Sequence, residues 1–207
     1  GFSPNYNNQI LINEHKRMIA ALAQRYDNDS RIALIQIGSI GHWGEWHTWP
    51  YADSPGCTYK DGPPTSAFPR VWVSDQYVQH YIDNFQNKKV CIRRPFQIAK
   101  DNKLGLFNDV FGEYAGTRQQ FIPWVNNGYT DDFGQSHPAM PDFWKYNFSG
   151  GEFAWGNPAL WLTDENNGHG TTTWLDTYNA ISDSHIIWLG PCSAAIYPQG
   201  STNPPQW

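Results

Sequence analysis

The sequence predicts an α/β fold of the (β/α)8, TIM-barrel-like kind, and three observations predict it. Short apolar runs alternate with amphipathic helical stretches along the chain. The runs are nearly continuous in apolar residues, which suits strands covered on both faces in a parallel sheet. Each run ends in polar or charged residues, and strand ends are where such barrels build their sites.

Residues 8–26 read as a helix, because Ile12, His15, Ile19, Leu22 and Tyr26 recur at three- and four-residue spacing, with Lys16, Arg17 and Gln24 opposite. Asp27-Asn28-Asp29-Ser30 breaks it, and residues 32–38 (IALIQIG) form the first apolar run. A Pro-, Gly- and Ser-rich loop spans residues 50–69. A second helix is expected over 74–85, with Ser74 as its N-cap and Tyr77, Val78, Tyr81, Ile82 and Phe85 as its buried stripe. Further strands are expected at 89–95, stopped by Pro95, and at 104–109. Residues 119–126 suit a helix and 128–146 a loop. The last elements are a strand at 148–153, a helix at 171–181 and a strand at 185–190, so the barrel portion occupies 1–197 and an irregular tail 198–207.

Composition narrows the function. Charged residues make up 16% of the chain and hydrophobic ones 40%, which excludes a coiled coil and a charge-rich disordered tail. No run reaches the roughly 18 apolar residues of a membrane helix. The net charge of −5 supplies no basic footprint for nucleic acid. By contrast, Trp, Tyr and Phe number 11 each, and flat rings of this kind stack on sugar faces as readily as they fill cores. Two sequons, at Asn28 and Asn147, together with few lysines, favour an extracellular (secreted), glycosylated protein.

Two carboxylates stand out. Glu45 lies among Trp43, Trp46 and His47, an enclosure that desolvates a carboxyl and raises its pKa, as a general acid needs. Glu152 follows Gly150-Gly151, where the missing side chains let backbone or substrate come close. Two carboxylates at different strand ends can flank a glycosidic bond, one protonating the leaving oxygen while the other attacks the anomeric carbon. For either Glu alone, a salt bridge or a helix cap is as good a reading.

The stretch Ile37-Gly38-Ser39-Ile40-Gly41-His42-Trp43-Gly44-Glu45-Trp46-His47 resembles a strand-end signature in a little-characterised family of microbial barrel proteins. These look like relatives of the clan of retaining glycoside hydrolases that includes β-galactosidases and many cellulases. The resemblance runs from about Asn8 to Tyr197, and Asn108-Asp109 and Gly150-Gly151-Glu152 also look like family features. It implies that Glu45 ends the fourth barrel strand as acid/base and Glu152 the seventh as nucleophile. About strands four to eight are then present, and the remaining ones come from a longer chain or another chain. Trp43, Trp46, His47, Arg93, Asn108, Asp109 and Trp155 are implied to shape sugar subsites, with a polysaccharide or oligosaccharide as partner. Where the clan commonly carries Asn before its acid/base Glu, this chain has Gly44. The rival reading is a barrel that binds glycan, or builds an extracellular assembly, without catalysis.

Other constellations are weaker. His42, His47, His137, His169 and His185 show no metal-ligand spacing, so no metal and no cofactor is expected. No Gly-x-Ser-x-Gly is present, which disfavours a serine hydrolase. One of Arg93 and Arg94 should face the barrel interior and hold Glu45, Glu152 or an acidic sugar. Of three cysteines, Cys57 and Cys192 fall in loops after strand ends and are the expected disulfide, whereas Cys91 lies inside a strand.

Overall fold

The computed structural model describes residues 4–47, 68–131, 133–154 and 174–190. Cys57, Cys192, Trp155, His169, the tail 198–207 and most of the 50–69 loop lie outside the described residues.

Helix α1 (Gln9–Tyr26) is capped by Asn8, whose side-chain oxygen accepts from the amides of Ile10 and Leu11. It buries Ile12, His15, Ile19 and Ala23, while Leu22, expected in the stripe, faces outward. Helix α2 (Val71–Asn84) packs against α1 and begins three residues earlier than expected. Ser74 is therefore not its N-cap; inside the helix its hydroxyl donates to the Val71 carbonyl.

The strands are β1 (Leu34–Gln36), β2 (Lys89–Ile92), β3 (Gly105–Phe111), β4 (Tyr129–Thr130), β5 (Ser136–His137), β6 (Ser149–Phe153) and β7 (Trp188–Gly190). Five of them form one parallel sheet in the order β1-β2-β3-β6-β7, curled into a half-barrel. The fourth and fifth make a small antiparallel ribbon inside the region expected to be loop. Crossovers run through α2, a short helix α3 (Gln97–Asp101) absent from the expectation, α4 (Ile122–Asn127) and α5 (Trp174–Asp183). A π-helical stretch at Ala115–Phe121 leads into α4. Strand ends are shorter than the apolar runs. The β1 ladder stops at Gln36, although the Ile37 amide still bonds the Cys91 carbonyl.

The core is the inner and helix-facing packing of this sheet: Ile37, Ile92, Leu106, Phe107 and Phe111 are fully buried, and Cys91 is a buried free thiol that burial pushes up to about 12. Gly150 and Gly151 are close-approach positions, but the approaching groups belong to the protein. A Cβ on Gly150 would strike the Trp188 indole, and one on Gly151 the backbone of Asn108. Among the described residues, β1 and β7 each pair with a single neighbour, so the sheet has two open edges.

A buried histidine pair joins the two helices. His15 Nδ1 lies 2.8 Å from His80 Nδ1, and His15 Nε2 lies 2.6 Å from the Ser39 hydroxyl, which in turn meets Tyr81. Burial first, and His80 second, push His15 down to about 4, and His80 is lowered too, by burial and Lys16 against Asp83. Unfolded histidine protonates near 6.5, so His15 contributes stability that is complete above that pH and drains away as pH falls towards 4. The contribution is up to about 3 kcal/mol. Glu152, Asp75 and His47 are raised on folding and slope the other way across part of this window. The expected result is therefore differential: from pH 7 to pH 4.5, a His15→Asn variant loses less urea stability than wild type. Equal losses would remove the histidine pair as the cause.

Candidate functional site

After β1 the chain folds back in a compact loop, residues 38–47. The His42 amide donates to the His47 carbonyl at 2.7 Å and the Trp46 amide to the Ile40 carbonyl at 2.9 Å. Four of its residues are left-handed: Gly41 (φ 85°), Trp43 (52°), Gly44 (78°) and Trp46 (62°). A Cβ on Gly44 would also collide with the Gly38 backbone, so no side chain fits there. That is the physical reason this chain lacks an Asn before Glu45. Strain at Trp46 is offset by complete burial. Its indole N–H donates to the Ile37 carbonyl at 3.0 Å, and its ring packs on Phe68 and Phe96. Trp46 therefore anchors the loop and presents no face to a sugar. Trp43 has no such compensation: its side chain is 70% exposed beside His42 and His47.

The loop delivers Glu45 and His47 to Asp109 on β3. His47 Nε2 lies 3.0 Å from Glu45 Oε2 and 3.3 Å from Asp109 Oδ2. Burial works against a charged imidazole, but hydrogen bonds and charge from Asp109 and Glu45 outweigh it and hold His47 above its ordinary value. The Asp109 carboxylate is 1% exposed and binds the buried Arg93 through Oδ1. Burial alone would raise it, yet Arg93 and His47 together keep it below the ordinary aspartate value. Arg93 thus holds Asp109, and neither Glu45 nor Glu152. Its guanidinium also sits 5.8 Å and 5.6 Å from the Phe121 and Trp124 rings, and Arg94 lies 5.1 Å from the same Trp124.

Glu152, half-buried on β6, completes the cluster. Burial, then the charges of Glu45 and Asp109, then a hydrogen bond with Glu45, push its carboxyl up to about 7. The nucleophile role that the resemblance implies needs an ionised Glu152, whereas its raised carboxyl suits an acid. Glu45 and Glu152 therefore lie close enough to couple. Neighbouring carboxylates cannot both ionise cheaply, which adds to the rise at Glu152.

The structure thus brings Glu45, His47, Asp109, Arg93 and Glu152 to one place, with Trp43 at its rim. It leaves Asn108 out: that side chain is fully buried, donates to the Thr117 hydroxyl at 3.0 Å and accepts from the Val110 amide. At the second sequon, the Asn147 amide nitrogen donates to the Lys103 carbonyl at 2.7 Å, whereas Asn28 is exposed in a turn. Glu45, His47 and Asp109 also offer ligand atoms within 4.8 Å of one another, a set that could hold a metal ion. No signal in the sequence joins Asp109 to a residue 62 positions away, so spacing rules miss this set. Comparison with protein-family models, curated proteins and solved structures returns no match to this chain.

Proposed function

We propose that the chain is the site-bearing part of a secreted (β/α)8 glycoside hydrolase that cleaves a polysaccharide with the Glu45–Glu152 pair. The observation that carries the reading is the Glu152 carboxyl on β6, raised to about 7 by burial and by its coupling to Glu45 in the loop after β1. An acid that stays protonated to about pH 7 beside a carboxylate is the equipment for glycosidic cleavage. Glu152 gives its proton to the leaving oxygen. Glu45, oriented by the His47 Nε2 bond, attacks the anomeric carbon from the other side. This reverses the roles that the family resemblance implies.

The open edges of β1 and β7 fit the rest of a barrel, supplied by a longer chain or by a second one, because exposed parallel strands are otherwise a pairing hazard. The test is a polysaccharide panel with reducing-end detection, using protein with its barrel complete. Oligosaccharide binding with no turnover on any substrate would establish the non-catalytic rival.

Trp43 is the sugar platform in this reading, and its strained, exposed geometry gives a two-sided expectation. Trp43→Gly relieves a left-handed backbone and raises thermal stability by up to ~1 kcal/mol. It also weakens oligosaccharide binding about tenfold, roughly 1.4 kcal/mol. Calorimetry showing unchanged affinity would remove Trp43 from the binding surface.

A further inference from the structure

We infer that Glu45, His47 and Asp109 form a binding site for a first-row divalent transition ion of the zinc class. Three ligand atoms converge: Glu45 Oε2, His47 Nε2 and Asp109 Oδ2. The imidazole nitrogen stands 3.0 Å from one oxygen and 3.3 Å from the other. Around an ion with ~2.1 Å bonds to N and O, neighbouring ligand atoms stand roughly 3.0–3.4 Å apart, so the two edges already have coordination-sphere length. The third edge is within 4.8 Å.

A second observation points to a ligand. The Asp109 side chain is 1% exposed, and its Oδ2, aimed at the cluster, has only the long 3.3 Å approach of His47 Nε2 and no hydrogen bond of good geometry; Arg93 serves the other oxygen. A buried carboxylate oxygen so weakly served is costly, and a cation serves it better. The donor set chooses the class. One imidazole nitrogen with carboxylate oxygens suits zinc, manganese or cobalt, whereas calcium and magnesium prefer all-oxygen cages.

The inference goes beyond the hydrolase reading and stands without it. An ion bound here takes Glu45 out of the carboxyl pair, so it would act as an inhibitor of the proposed hydrolysis.

The test is calorimetric titration of the chelator-treated full chain with zinc chloride, paralleled by cobalt(II) absorption spectra. The expected result is one ion per chain at micromolar affinity or tighter, with cobalt d–d bands of a nitrogen- and oxygen-ligated ion. His47→Ala and Glu45→Gln should each weaken zinc at least tenfold and remove the cobalt bands. His185→Ala, on the loop before β7, should change neither. Circular dichroism confirms that each variant is folded. Asp109→Asn is a further variant where it folds. No stoichiometric uptake by wild type, or wild-type affinity in both His47→Ala and Glu45→Gln, overturns the site. Because binding is read without turnover, zinc uptake by a protein inactive on every polysaccharide sinks the hydrolase reading alone. Turnover without zinc uptake sinks the metal site alone.

Discussion

Glu45→Gln is expected to lower hydrolysis of natural oligosaccharides and activated aryl glycosides alike, by more than ~10⁴-fold, since it removes the attacking carboxylate. Glu152→Gln is expected to split the substrates. Cleavage of poor leaving groups should fall by ~10²–10⁴-fold, while the first step on an activated aryl glycoside, which needs no protonation, proceeds. The assignment rests on the proton that burial and the neighbouring charges of Glu45 and Asp109 hold on Glu152 up to about pH 7. The sign of the pH dependence follows. The acid must be protonated, so kcat/KM falls roughly tenfold per unit above about 7. Removing the Glu45 charge also relieves Glu152, whose carboxyl in Glu45→Gln should titrate nearer an ordinary glutamate by infrared or carbon NMR. The opposite split, with Glu45→Gln sparing aryl glycosides, would restore the order implied by the family resemblance. Full activity in both variants would end the two-carboxylate reading.

The parallel half-barrel was legible because periodicity reports which segments are covered on both faces, and five short apolar runs between helices leave few other arrangements. Glu45 and Glu152 stood out in the sequence as carboxylates near strand runs, and the fold brings their charges close enough to interact. What pattern could not resolve was orientation. Asn108 and Asp109 look alike on paper, but alternation along β3 sends one to a Thr117 hydroxyl in the helix layer and the other to Arg93 and His47. Trp43 and Trp46 are equally aromatic. Which of them is a core anchor was decided by the left-handed turns of residues 41–46, a conformation that composition does not announce. Gly44 looked like a departure from a catalytic motif and turns out to be a steric requirement of the same loop. Aromatic neighbours in sequence drew attention to Glu45, but proximity in space is what raises the Glu152 carboxyl, through burial and the charges of Glu45 and Asp109.

The largest stability effect is expected at Asp109. Its carboxylate is the counter-charge for Arg93, whose side chain is 6% exposed and whose Nη1 already lacks a hydrogen-bond partner. Asp109→Ala leaves that guanidinium buried without compensation, which costs about 3–5 kcal/mol. Set against a total stability of order 5–15 kcal/mol, this brings the protein close to unfolding. Asp109→Asn keeps an acceptor for Arg93 and should cost less. Replacing both partners removes the reason for the penalty: Arg93→Met combined with Asp109→Leu should be more stable than Asp109→Ala, though it lacks the site. Urea unfolding of the three variants measures this directly. If Asp109→Ala unfolds within about 0.5 kcal/mol of wild type, solvent reaches Arg93 and the pair is not the buried keystone described here. If instead the double variant is the least stable, packing rather than charge holds β2 to β3 at this point. The middle outcome expected here, a severe single loss with partial recovery in the double variant, ties fold and site together. The charge that positions His47 and Glu45 for chemistry is then the same one that keeps Arg93 tolerable in the core.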